Sequence, residues 1–322
     1  MNPTAPIRKP LHIGRASELS GGDRALYRAF EILPGALSWG SLIGCVVLSY
    51  YAPVYAAIFI IIFDFYWLLK TVYLSTYLRQ NWRRLKHNRA LDWLAMLANT
   101  KYEHVYHLIL LPYYKEDAKV IENCLQSLAE SRYDKKKFLV VLAAEERAGE
   151  ESGRKALDAK KRYQSVFGDF LIIVHPQNIA GEIIGKGSNI AYSVEESRKL
   201  ILDARKIPYE DVIVSAFDID TVVYPNYFAC VTWHFLTAEK PHRTSFQPVP
   251  LYNNNIWDAP ALSRVVATSG TFWQMIQQER PEKIATFSSH SVSFKALYEI
   301  GYWQKNMVSE DSRIFWNAFL AY

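Results

Sequence analysis

Charged side chains are missing from the chain for 32 consecutive residues, from Ile32 to Phe63, and apolar ones fill the gap. Within that gap, Ala36 to Ala52 is an apolar run of about 17 residues, the shortest that crosses a hydrocarbon core as a helix. Pro53 follows where a second helix would start, a position that tolerates its missing N–H. The second run includes Ile58, Phe59, Ile60, Ile61, Ile62 and Phe63 and reaches about Leu78. Tyr50, Tyr51, Tyr55, Trp67, Tyr73 and Tyr77 suit the aromatic belts of a membrane–water interface. The pattern predicts two transmembrane helices over 36–78. A cleavable signal peptide fits less well, because the run starts late and no small-residue cleavage site follows it. The plainer alternative is a buried helical pair in a soluble protein. Asp64 interrupts the second helix and is expected to face its partner helix or the headgroups.

The flanks set the expected topology. Arg8, Lys9, Arg15, Arg24 and Arg28 precede the first run, and Arg79, Arg83, Arg84, Lys86 and Arg89 follow the second. The link between the runs carries no charge. The positive-inside rule then makes both ends cytoplasmic and the helices a hairpin. The expected organisation is a cytoplasmic segment at 1–35, the helices at 36–78, a basic juxtamembrane linker at 79–106 and a catalytic domain at 107–322. The resulting localisation is multi-pass in the cell membrane, with the catalytic domain in the cytoplasm.

Beyond the linker the pattern changes to short apolar runs alternating with amphipathic ones. His107 to Leu111 reads as a buried strand stopped by Pro112, and Phe138 to Ala143, Asp169 to His175 and Asp211 to Phe217 as three more. Between them, Val120, Ile121, Cys124, Leu125 and Leu128 recur at helical spacing. A polar helix is expected over about Glu150 to Val166, and another over Asn189 to about Ile201. Alternating strands and helices predict an α/β fold with a doubly wound, mostly parallel sheet, whose ligands sit beyond the carboxyl ends of the strands.

Composition narrows the chemistry. Half of the 322 residues are hydrophobic, so a large core is available, and the net charge is only +5. No basic stripe interleaved with aromatics appears, so no nucleic acid partner is expected. Cys45, Cys124 and Cys230 are odd in number and far apart, which argues against a disulfide framework or a zinc site. The eight histidines are scattered. The remaining chemistry is acidic. Asp218 and Asp220 follow the fourth strand, one residue apart, and on extended backbone they share a side. At a strand end such a pair can hold a hard divalent ion against a diphosphate. A solvated turn is the competing reading of an isolated Asp-x-Asp.

Four stretches taken together are more specific. PYYKED at Pro112 to Asp117, GKGSNIAYS at Gly185 to Ser193, AFDIDTVVYPNYF at Ala216 to Phe228, and SFKALYEIGYW followed by SED resemble glycosyltransferase family 2, in that family's order. The resemblance covers about Leu108 to Tyr322. It implies the nucleotide-sugar-binding GT-A fold, an inverting transfer, a divalent cation (Mg or Mn), a nucleotide-diphosphate-sugar donor, and a carbohydrate or lipid-linked acceptor at the lipid bilayer. On the matched positions it implies that Pro112, Tyr114 and Glu116 cradle the nucleoside, with Lys115 where the family has Asn. It matches Glu145 to an acidic residue that contacts the base, though Ala143 and Ala144 come first. Lys186 and Asn189 match a donor-binding stretch at shortened spacing. Asp218 resembles the carboxylate on the ribose, Asp220 the metal ligand, and Asp311 in Glu310-Asp311 the catalytic base.

The chemistry of inverting transfer asks for the same parts: a base for the acceptor hydroxyl and positive charge on the departing diphosphate. No Ser-His-Asp or Cys-His arrangement competes. Plainer readings stand beside each role. Ser309 or Asp311 would cap the apolar helix that follows, Lys186 would be a solvated surface lysine, and His290, a candidate for lining the acceptor site or assisting the base with Glu310, would be a satisfied loop histidine. The Gln-x-x-Arg-Trp motif of the family's polymer-forming synthases does not follow the late acidic pair, and the chain is expected to be either a fragment or free of that motif. Two other functions compete: a nucleotidyltransferase, for which the Gly-rich loop after the first strand is missing, and an inactive membrane scaffold, against which Asp220 and Asp311 speak.

Overall fold

The computed structural model describes residues 16–254, 256–280 and 285–322. Arg8, Lys9 and Arg15 of the basic flank lie outside them. The described chain falls into two compact units, one ending at Arg84 and the other running from Leu85 to Tyr322.

The first unit is built on two long helices, α1 (Gly21–Tyr51) and α2 (Pro53–Ala90), and the chain breaks between them at Ala52, directly before Pro53. Both are long and apolar enough to cross a membrane, and none of the most apolar stretch of either is buried. Within this chain, then, they are not packed as the core helices of a soluble domain are. Asp64 is exposed. Both helices extend beyond their apolar runs, and α2 continues through Arg79, Arg83 and Arg84 to Ala90, within the stretch read as a linker.

In the second unit, a short helix α3 (Trp93–Leu97) precedes strand β1 (Tyr106–Tyr113), helix α4 (Ala118–Ala129), strand β2 (Phe138–Glu145), helix α5 (Glu150–Tyr163), strand β3 (Asp169–His175), helix α6 (Lys186–Ser197) and strand β4 (Val212–Ala216). Helix α7 (Tyr227–Thr237), strand β5 (Ser245–Phe246), helix α8 (Ala261–Gln277), strand β6 (His290–Ser293) and helices α9 (Phe294–Glu299) and α10 (Glu310–Ala321) complete it. The strands form one mixed sheet in the order β3-β2-β1-β4-β6-β5. Its centre is parallel, with Leu110 opposite both Val141 and Ala216. β6 runs antiparallel to β4, with His290 opposite Ala216.

The central strands read as continuous apolar runs because both faces are covered. Successive side chains point to opposite faces. Ile109, Leu111, Val140 and Leu142 pack with α4, α5 and Trp93 on one side. Leu108, Leu110, Leu139 and Val141 pack with Ile190 and Val194 of α6, Phe294 and Leu297 of α9 and Ile314 of α10 on the other.

Two strand assignments differ from the sequence expectation. β1 runs through Pro112 to Tyr113. The Leu110 carbonyl accepts from the Phe217 N–H, so Pro112, two residues on, turns its missing N–H toward β4 beyond the point where that pairing has ended. The segment around His290, read as a loop, forms β6. HSVS offers no apolar run, because its serines pair inside: the Ser291 hydroxyl lies 2.7 Å from that of Ser215.

The Gly168 N–H donates to the carbonyls of Lys135 and Phe138, both at 3.0 Å, where the chain crosses the start of β2. A Cβ here would lie 2.1 Å from the Lys136 carbonyl oxygen. Because the clash is with backbone, Gly168→Ala should destabilise the second unit by about 1–3 kcal/mol; an unchanged urea midpoint would contradict this. His107 is 0% exposed, its Nε2 2.8 Å from the Thr232 hydroxyl, and burial lowers its pKa from 6.5 to about 3. Between those values the unfolded chain binds a proton that the folded chain refuses, so stability falls as pH drops below 6.5. His107→Gln should lower stability less on going from pH 7 to 5 than wild type does, as read from urea midpoints; equal pH dependence in both would refute the assignment.

Candidate functional site

Parallel strands bring their carboxyl ends to one edge of the sheet, and the chain leaves that edge at Tyr113, Glu145 and Ala216 through polar loops. β6, running the opposite way, starts there with His290. Apart from Asn189, the predicted residues lie at this edge in two groups.

The first lies over β1 and β2. Pro112 sits within β1 opposite Ala143. The Tyr114 N–H donates to Glu116 Oε2 at 2.6 Å, and its carbonyl accepts from the Ser152 hydroxyl of α5 at 2.6 Å. The Arg147 guanidinium stands 4.3 Å from the Tyr114 ring centre and the Lys115 ammonium 5.0 Å. Arg147 also ion-pairs with Glu145 at the end of β2. Arg147 was not anticipated; its two-residue spacing from Glu145 was the available signal.

The second group lies over β4 and β6. Lys186, the first residue of α6, places its ammonium 2.5 Å from Asp218 Oδ1. The Ser288 hydroxyl donates to the other oxygen, and the Asp218 N–H donates to the Ser289 hydroxyl at 3.3 Å. Burial pushes Asp218 up, but Lys186 and the two hydrogen bonds to its carboxylate outweigh that and hold it below the usual range. Asp220 moves the other way, raised by burial and then by the negative charges of Asp218 and Glu116. That last interaction links the two groups.

Glu310, the first residue of α10, is 4% exposed. It is raised by burial, with Asp311 and Asp218 adding to the effect and Lys186 opposing it. Its side chain reaches Gly187: a Cβ on that glycine would lie 3.0 Å from Glu310 Cβ and Cγ, so a larger residue there would press on Glu310. Asp311 Oδ1 accepts from the Ser312 N–H at 2.7 Å, and the N-cap residue, Ser309, makes no side-chain cap bond. His290 is buried, and its Nδ1–H donates to the Phe287 carbonyl at 2.9 Å. Burial and the Lys186 charge lower its pKa to about 4, although Asp311 and Asp218 act against the shift. It is a neutral strand residue at the site, not a loop histidine.

Asn189 stands apart. It is 1% exposed, its amide donates to the Ala143 carbonyl at 2.7 Å, and its own carbonyl accepts from the Ser193 hydroxyl at 3.3 Å. The amide bond holds α6 to β2, and the carbonyl is taken up within α6.

Among the described residues no three His, Cys, Asp or Glu side chains converge to hold a metal by themselves. The donors fit a cation of another kind. Mg²⁺ commonly binds through one or two carboxylates and completes its shell with phosphate oxygens and water. Asp220, crowded by Asp218 and Glu116, is a carboxylate whose charge such a cation would stabilise.

No family model and no curated protein matches this chain. Among solved structures, a mannosyltransferase from Pyrobaculum calidifontis in complex with GDP-Man and Mn²⁺ aligns at 15% identity and a TM-score of 0.43, over 75% of this chain and 62% of the other. S. aureus TarS 1–349 aligns at 13% identity and a TM-score of 0.40, over 67% and 56%. The chain thus spans less than two thirds of each. Superpositions this loose carry no functional argument.

Proposed function

We propose that this chain is a membrane-anchored, inverting glycosyltransferase of family 2 with a GT-A catalytic domain. It moves a sugar from a nucleotide-diphosphate donor to the hydroxyl of a carbohydrate or lipid-linked acceptor in polysaccharide biosynthesis. The observation that carries the reading is the convergence of Glu116, Lys186, Asp218, Asp220, His290, Glu310 and Asp311, from separate segments of the chain, at the carboxyl edge of the sheet. The two apolar helices support the anchor at 36–78; the basic flanks are the argument for cytoplasmic segments at 1–35 and 79–106, and 107–322 is the catalytic domain of the proposal.

In this reading Pro112, Tyr114, Glu116 and Glu145 receive the nucleoside, and Lys186 and Asp218 the ribose and phosphates. Asn189 acts from below by fixing the start of α6. Asp220 holds Mg²⁺ or Mn²⁺, which when bound neutralises charge on the leaving diphosphate. The acceptor oxygen attacks the anomeric carbon from the face opposite the diphosphate. The carbon–oxygen bond to the diphosphate breaks with its electron pair leaving on the phosphate, and the acceptor proton passes to Asp311. Glu310 and neutral His290 line the base.

A base acts on the acceptor, so its loss should remove the rate and spare donor affinity. Asp311→Asn keeps side-chain size and a hydrogen-bond acceptor for Ser312. Sugar transfer should fall by at least about a hundredfold, while nucleoside diphosphate affinity and melting temperature stay at the wild-type values. Undiminished transfer by Asp311→Asn, with a comparable loss in Glu310→Gln, would reassign the base to Glu310.

A further inference from the structure

Between β5 and α8 the chain runs as a strap, residues 247–254, pinned at both ends. The Gln247 side-chain carbonyl accepts from the Phe287 N–H at 2.6 Å, and its backbone carbonyl accepts from the Gln278 amide at 3.0 Å. The Pro250 carbonyl accepts from the Thr271 hydroxyl of α8 at 2.8 Å. At the far end, the Asn254 amide donates to the Asp220 backbone carbonyl at 2.8 Å. The strap is thus tied to α8 and to the segment that carries Ser288, and then directly to the carboxylate loop.

Tyr252 lies between these anchors. Its ring is half-buried, its edge 3.9 Å from the point where a Cβ on Gly270 would sit. Its phenol is raised by burial and then by the charges of Asp218 and Asp220. It therefore stays protonated and remains a hydrogen-bond donor. No described residue hydrogen-bonds to the hydroxyl. A phenol with no described hydrogen-bond partner, two residues from the Asn254 bond to Asp220, is placed for anionic oxygens that a ligand brings to the carboxylate loop.

We infer that Tyr252 is a donor-site residue whose hydroxyl hydrogen-bonds the diphosphate of the nucleotide sugar beside Asp218 and Asp220. This rests on the glycosyltransferase reading above. The ring positions the hydroxyl through its packing on α8, and the Asn254 bond keeps strap and carboxylate loop in register. A purely packing role would need the ring alone.

Tyr252→Phe separates the two, since it keeps the ring and removes only the hydroxyl. The test is calorimetric titration of the full chain in detergent with UDP and GDP, and with UMP and GMP, in the presence of Mn²⁺. With an unchanged melting temperature, Tyr252→Phe should bind the preferred diphosphate about tenfold more weakly, as for loss of a hydrogen bond to a charged group, and its monophosphate as wild type does. Wild-type affinity for both would overturn the inference and leave the glycosyltransferase reading standing. Equal losses for both nucleotides would also overturn it, by showing that the strap itself had shifted. A wild-type chain that binds neither diphosphate would overturn the reading on which the inference rests.

Discussion

The site depends on the ion pair between Lys186 and Asp218. It joins the first turn of α6 to the loop after β4, and through Ser288 it reaches the segment ahead of β6. Lys186 also acts on Asp220 and Glu310. Carboxylates gathered away from water repel one another and lose hydration, and both effects favour protonation. Asp218, bonded to the lysine, stays below the ordinary range, while Asp220 and Glu310, without such a bond, lie above it. One cation thus sets Asp218 apart from Asp220 and Glu310, whose carboxyls are shifted the other way.

The fold produces this crowding by its topology. A parallel sheet delivers successive loops to one edge, so Glu116, Glu145 and Asp218 share that edge although far apart in the chain. β6 comes back antiparallel against β4 and sets His290 opposite Ala216. At Gly187 the start of α6 lies against Glu310. The edge is therefore made of rigid element ends, a better support for a reacting geometry than a free loop.

The parallel core was legible because strands covered on both faces have no polar side to blur the signal. FLVVLA and DVIVSAF could be read as strands with few competitors, and the break between α1 and α2 falls at Pro53, where the residue type demands it. β6 escaped because its identity lies in pairing: Ser291 meets Ser215 and Tyr227 across space, which no periodicity within HSVS records. Pro112 misled for a related reason, since its cost depends on which neighbour its missing N–H would have faced. At the site, residue types pointed to the carboxylates, but only the fold shows that Asn189 is turned inward and that Arg147 engages both Glu145 and Tyr114. The strap with Tyr252 carried no pattern that singled it out.

The central claim is that Asp220 and its neighbours bind a divalent cation together with a nucleoside diphosphate. Calorimetric titration of nucleoside diphosphates into the full chain, with Mn²⁺ and with EDTA, tests it directly. The account predicts binding that needs the metal and that Asp220→Asn weakens by at least about tenfold in a chain of unchanged melting temperature. Metal-independent affinity, or affinity untouched by Asp220→Asn, would contradict it.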